Sequence, residues 1–143
     1  MPDLTITRVF DAPRDLVFAA WTEPDQLASW FGPQGFTCSA VTVDPRPGGR
    51  WRACIHSPEG EDHWMRGVYR EVSAPDRLVF TFAWEAQELE TLVTIGFADV
   101  GGKTEMTFVQ TGFPAVAERD AHDEGWTSCF EDLTGFIRRK DTR

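Results

Sequence analysis

Between residues 36 and 111, six strand-like segments follow one another with only short turns between them. A single long helical stretch then closes the chain. FTCSAVTVD (36–44) is closed by PRPGG (45–49), RWRACIHS (50–57) by PEGED (58–62), and HWMRGVYREV (63–72) by SAPD (73–76). RLVFTFAW (77–84) runs into polar EAQELE, TLVTIGFADV (91–100) into GG (101–102), and KTEMTFVQT (103–111) ends the run. Alternation broken by Gly, Pro and Asp marks strands. Links this short join antiparallel neighbours.

The first segment, LTITRVF (4–10), alternates in the same way and predicts a seventh strand. DAP (11–13) predicts a helix start, with Asp11 as cap and Pro13 in the first turn. Val17, Phe18 and Trp21 share one face there, and Leu27, Trp30 and Phe31 share the face of a second short helix after Pro24. From Pro114 onward Trp126, Cys129 or Phe130, Leu133, Phe136 and Ile137 recur at three and four residues, which predicts one amphipathic helix over about 115–139. Its Arg138, Arg139 and Lys140 suit the negative end of a helix dipole.

Seven antiparallel strands have one face to bury, and the last helix is the only element large enough to cover it. The expected class is therefore α+β, in one domain over residues 1–143. A curved sheet need not close tightly on one helix, so a pocket between the two is expected. Six Trp and eleven Phe against one Tyr support this. So many large rings either overfill a small core or line a cavity.

The net charge of −9, from 14 basic and 23 acidic residues, argues against nucleic acid and anionic membranes as partners, since both are bound through Lys and Arg. No run approaches the ~20 apolar residues of a membrane span, and the start lacks the pattern of a secretory signal. Three cysteines without a CxxC pair exclude a zinc knuckle and predict free thiols in a reduced, cytoplasmic setting. A monomer or homodimer is expected.

The strand faces nominate pocket residues. Period two groups Leu78, Phe80, Phe82 and Trp84, then Val93, Ile95 and Phe97, then Met106, Phe108 and Gln110. In 63–72, Trp64, Arg66, Val68 and Arg70 alternate with Met65, Gly67 and Tyr69, and the sequence leaves open which set faces inward. HDEGW (122–126) offers three adjacent metal-ligating types. Adjacent helical residues diverge by about 100°, and a helical metal pair needs ligands at i and i+4, where His122 meets Trp126. No metal is expected. His122 and Trp126 fall on the buried stripe, and Gly125, unfavourable in a helix by about 1 kcal/mol, is read as a point of close approach. PRPGGRW lacks the phosphate-loop pattern and is read as a hairpin turn in which Gly48 and Gly49 supply positive φ. No paired acids and no Ser-His-Asp set are evident. The expected pocket lining is Trp30, Trp64, Arg66, Phe80, Phe82, Ile95, Phe97, Phe108, Gln110, His122, Trp126, Cys129 and Phe130.

Six stretches carry a family likeness: FDAPRDLVFAAWTEP (10–24), LASWFGP (27–33), VDPRPGGRWR (43–52), GVYREVSAPDRLVFTF (67–82), TEMTFVQTGF (104–113) and HDEGWTSCFEDL (122–133). In these the chain resembles the START-like (SRPBCC) superfamily, and within it the branch named for the activator of heat shock protein 90 ATPase, in its C-terminal-domain type. The resemblance implies a helix-grip (START/Bet v-like) fold. It implies binding of a small apolar or aromatic molecule, without cofactor. Two alternatives come with the superfamily. One is a cyclase or aromatase in which His122, Arg66 or Gln110 polarises the substrate. The other is a chaperone-interacting module linked to the stress response. A catalytic motif is not evident, and a fold does not fix a function.

Overall fold

The computed structural model describes residues 2–140. The chain runs β1 (Leu4–Phe10), α1 (Arg14–Thr22), α2 (Pro24–Trp30), β2 (Thr37–Val43), β3 (Arg50–His56), β4 (Asp62–Ser73), β5 (Arg77–Trp84), β6 (Glu90–Val100), β7 (Lys103–Thr111) and α3 (Val116–Lys140). The seven strands form one antiparallel sheet in the order β1-β7-β6-β5-β4-β3-β2. Consecutive strands from β2 to β7 are neighbours, as short turns require, and β1 closes onto β7 with Leu4 opposite Gln110 and Phe10 opposite Thr104. This is the α+β class expected from the element order, in the helix-grip arrangement that the family resemblance implies.

The ladder slips twice, between Ser39 and Thr42 on β2 and between Tyr69 and Glu71 on β4. Such bulges bend a strand and increase its twist, so the β2–β5 half of the sheet curls. Beside the second slip, Trp51 crosses β4 to donate its indole N–H to the Thr81 carbonyl at 3.1 Å. Gly67 makes this crossing possible: a Cβ there would stand 1.8 Å from that oxygen and 2.3 Å from Trp51 Nε1.

The concave face supplies Ile6 and Phe10 from β1, Val93 and Ile95 from β6, and Met106 and Phe108 from β7, all buried. Against it α3 presses Trp126, Phe130, Leu133 and Ile137. The short helices add Trp21, whose ring lies 4.8 Å from that of Trp30 and about 6 Å from those of Trp126 (6.1 Å) and Phe130 (6.0 Å). α3 carries Glu118 in its first turn and Arg138, Arg139 and Lys140 in its last, each sign at the dipole end that favours it.

Two local readings are corrected. Pro13, not Asp11, stands at the N-cap of α1. Of the two turn glycines only Gly48 has a positive φ, at 85°. Gly49 is needed for space, since a Cβ there would lie 1.9 Å from the Asp44 carbonyl oxygen.

Candidate functional site

The grip of sheet on helix is incomplete at the N-terminal half of α3. A cavity of about 420 Å³ opens there between α3, the curled β3–β5 segment and the loop after α2. Its floor is Ile55 of β3, Met65 of β4 and Phe82 of β5, three inward positions of adjacent strands. Phe31 and Phe36 close one side, and Trp84 and Leu89 another. From α3 come His122, Gly125, Trp126 and Cys129, with the exposed Glu118 and Ala121 at the outer edge.

Of the side chains expected at the pocket, Phe82, His122, Trp126 and Cys129 line this cavity. The others are placed elsewhere. Trp30, Phe80, Ile95, Phe97, Phe108 and Phe130 belong to the close-packed core. Trp30 is fixed there by its indole N–H, which donates to the Ala20 carbonyl at 2.9 Å and ties α2 to α1. Trp64 and Arg66 lie on the outer face, because the inward set of β4 is Met65, Gly67 and Tyr69. Trp64 is covered by the Arg52 guanidinium, 3.8 Å from the ring centroid, and Arg52 in turn pairs with both carboxylate oxygens of Glu85 at 2.6 and 2.9 Å. Turning the other set inward would bury two arginines without partners, a cost no aromatic contact offsets.

Gln110 is committed to packing. Its Oε1 accepts the Trp126 indole N–H at 2.9 Å, and its Nε2 donates to Thr91 Oγ1 at 2.8 Å. Thr91 passes the chain on to the Phe82 carbonyl at 3.3 Å. All three side chains are buried. The network thus holds Trp126 as a fixed wall and occupies both ends of the Gln110 amide.

His122 is the polar group that α3 presents to the aromatic lining. Phe113 stands 5.0 Å from its ring, Phe82 5.5 Å and Trp84 6.3 Å. Nε2 accepts the Trp84 indole N–H at 3.3 Å, which leaves the proton of the neutral ring on Nδ1. Burial lowers the pKa of His122 below its usual 6.5. The neighbours within HDEGW do not join it: Asp123 accepts from Thr127 Oγ1 at 3.2 Å, and Glu124 is exposed. Cys38, Cys54 and Cys129 are free. Burial pushes the Cys129 thiol up to about 12, so it stays protonated and contributes apolar surface.

Gly125 overturns its sequence reading. A Cβ built on it meets nothing within 4 Å, so the glycine leaves space in the cavity wall and marks no close approach. Lining residues that the sequence reading missed include His63, Met65 and Ile55, while Trp84 lies on the inward face where the sequence grouped it with Phe82. The signal for Met65 and His63 was the phase of β4, legible from the two arginines on the opposite set.

A family model described as activator of Hsp90 ATPase homolog 1-like protein matches residues 11–138. The chain belongs to this family. Solved structures agree: a protein from Chromobacterium violaceum is 26% identical with a TM-score of 0.87, covering 94% of this chain and 96% of its own. One from Nitrosomonas europaea is 26% identical with a TM-score of 0.84, covering 97% and 96%. The AHSA1 protein from Silicibacter pomeroyi shares the fold at a TM-score of 0.88 and 23% identity, covering 98% and 100%. Among curated proteins none matches. Among the described residues, no helix is long and apolar enough to cross a membrane.

Proposed function

We propose that the protein binds a small, largely apolar or aromatic molecule in the cavity beneath the N-terminal half of α3. One observation carries this reading: a cavity of about 420 Å³ lined mainly by aromatic and aliphatic side chains, with the half-buried His122 imidazole in its wall. That volume lies within the ~300–1,000 Å³ usual for small-molecule sites, and a few polar groups in an apolar wall are their usual composition. The neutral imidazole gives a ligand one hydrogen-bonding partner, and the rings around it favour a flat apolar body. The groups on which a cyclase reading rests do not converge. Arg66 is on the outer face, Gln110 is occupied by Trp126 and Thr91, and only His122 remains at the cavity.

Native mass spectrometry of gently purified protein tests the proposal. A bound small molecule that is lost on denaturation is the expected result, together with displacement of a polarity-sensitive fluorophore by that molecule. A bare chain mass, combined with no fluorophore binding that Trp126→Phe alters, overturns the reading.

A further inference from the structure

On the opposite face of the sheet, β2, β3 and β4 bring four polar side chains to one spot. Alternation along β3 turns Ile55 into the cavity and Cys54 and His56 outward. Across the ladder Ser39 stands opposite Cys54, and Asp62 opposite His56. The His56 ring is held at both nitrogens, with Nδ1 2.6 Å from Asp62 Oδ1 and Nε2 2.6 Å from Ser39 Oγ. Cys54 Sγ lies 3.9 Å from the same Nδ1. Sγ, a His56 ring nitrogen and an Asp62 carboxylate oxygen are all within 4.8 Å of one another.

We propose that Cys54, His56 and Asp62 bind one divalent transition-metal ion, zinc by the chemistry of the set. A thiolate, an imidazole and a carboxylate are the donors zinc takes in tetrahedral sites. Zinc bonds of ~2.3 Å to sulfur and ~2.1 Å to nitrogen place tetrahedral S and N atoms about 3.6 Å apart, and N and O atoms about 3.4 Å apart. The observed 3.9 Å between Sγ and Nδ1 is a few tenths from that value. The 2.6 Å between Nδ1 and Oδ1 is a hydrogen bond, with a proton where the metal would sit. On binding, the ring proton moves from Nδ1 to Nε2, the thiol proton is released, and Asp62 opens by about 0.8 Å. It can do so cheaply: it is the first residue of β4, and its side chain is 58% exposed.

Ser39 completes the arrangement. With Nδ1 on the metal, Nε2–H donates to Ser39 Oγ, the outer hydrogen bond that fixes tautomer and ring orientation in histidine metal sites. The ladder slips immediately after Ser39, where Ala40 takes a φ of 55°. A bulge with a residue in the left-handed region is the kind of irregularity that re-aims side chains beside sites. Three protein donors leave the fourth position to water. Ser39, His56 and Asp62 are also ordered like an acyl-transfer relay. Such a relay gives Cys54 no part, whereas the metal uses all four side chains.

Untagged protein titrated with cobalt(II), and separately with zinc(II), tests the proposal. One equivalent of cobalt should produce a thiolate-to-metal charge-transfer band and the strong visible bands of tetrahedral cobalt. Zinc should displace it and raise the Tm. Cys54→Ser should abolish the charge-transfer band. Because Cys54 is buried, the exposed substitutions Asp62→Asn and Ser39→Ala provide a second measure, each weakening binding by roughly 10–100-fold. The proposal is overturned if no charge-transfer band forms and zinc leaves the Tm unmoved, or if binding survives both exposed substitutions unchanged. Ester hydrolysis lost in Ser39→Ala and indifferent to chelators would assign the cluster to acyl transfer and equally overturn it.

Discussion

The Trp126 indole N–H donates to Gln110 Oε1 at 2.9 Å, joining the helix to the sheet through two buried side chains. Trp126→Phe removes ring volume and leaves Oε1 unpaired. The cavity and the orphaned acceptor together should cost about 2–4 kcal/mol. Gln110→Met leaves the indole N–H unpaired and should cost about 1–3 kcal/mol. The double variant should lose about 1 kcal/mol less than the sum, because the partner left unsatisfied in each single variant is then gone. Denaturant unfolding of the four proteins measures this, and strict additivity would show that the bond contributes nothing.

Gly125→Leu should leave the fold intact or stabilise it by up to about 1 kcal/mol, through better helix propensity. The new side chain projects into open cavity, since even a Cβ finds no neighbour within 4 Å. Fluorophore binding should weaken by roughly tenfold or more, the equivalent of about 1.4 kcal/mol of lost contact. A lower Tm with binding retained would show that the glycine serves packing.

His122 should make stability fall in acid. Its pKa is lowered in the fold by burial, so the unfolded chain takes up a proton first as the pH drops. The contribution is complete above the unfolded value of about 6.5 and is lost as the pH falls from there to the folded value. Protonation would also break the bond from Trp84 Nε1. His122→Phe should therefore flatten the stability profile between about pH 7 and pH 5. Chemical denaturation across that range reads the slope, and identical slopes for both proteins would contradict the prediction.

Gly67→Ala should destabilise by about 3 kcal/mol or more, because its methyl group would overlap the Thr81 carbonyl oxygen and Trp51 must then move. A circular dichroism melt checks it. Retention of the parent Tm would mean that β4 shifts to accommodate the methyl group.

The architecture was legible because local signals agreed. The alternation of KTEMTFVQT fixes the phase of β7, and the spacing from Trp126 to Ile137 fixes the buried stripe of α3. The site was less so, for identifiable reasons. Gly125 shows that a helical glycine is unfavourable but not whether the space it leaves is filled by a neighbour or kept open. Trp64 and Arg66 were ambiguous because phase within one strand has two solutions until the cost of burying both arginines is weighed. Phe80, Phe108 and Phe130 look like any cavity-facing ring in sequence. What separates them from Phe82 is how far α3 stands from each part of a curled sheet, which depends on bulges that no local pattern announces. Cys54, His56, Asp62 and Ser39 meet only through the register of three strands, and that register depends on the turns over residues 44–49 and 57–61 and on the slip after Ser39.

The pairing of β1 with β7 has a temporal consequence. Leu4 finds Gln110, and Phe10 finds Thr104, so β1 leaves the ribosome without its partner, which is synthesised only after the two short helices and five further strands. Until then its apolar side chains, and those of the two short helices behind it, lack the surface they are shaped to meet. Contacts so distant in sequence slow folding, and a nascent chain waiting with exposed aromatic surface is prone to aggregate. Synthesis of this protein should therefore leave β1 and the two short helices dependent on protection until β7 has emerged.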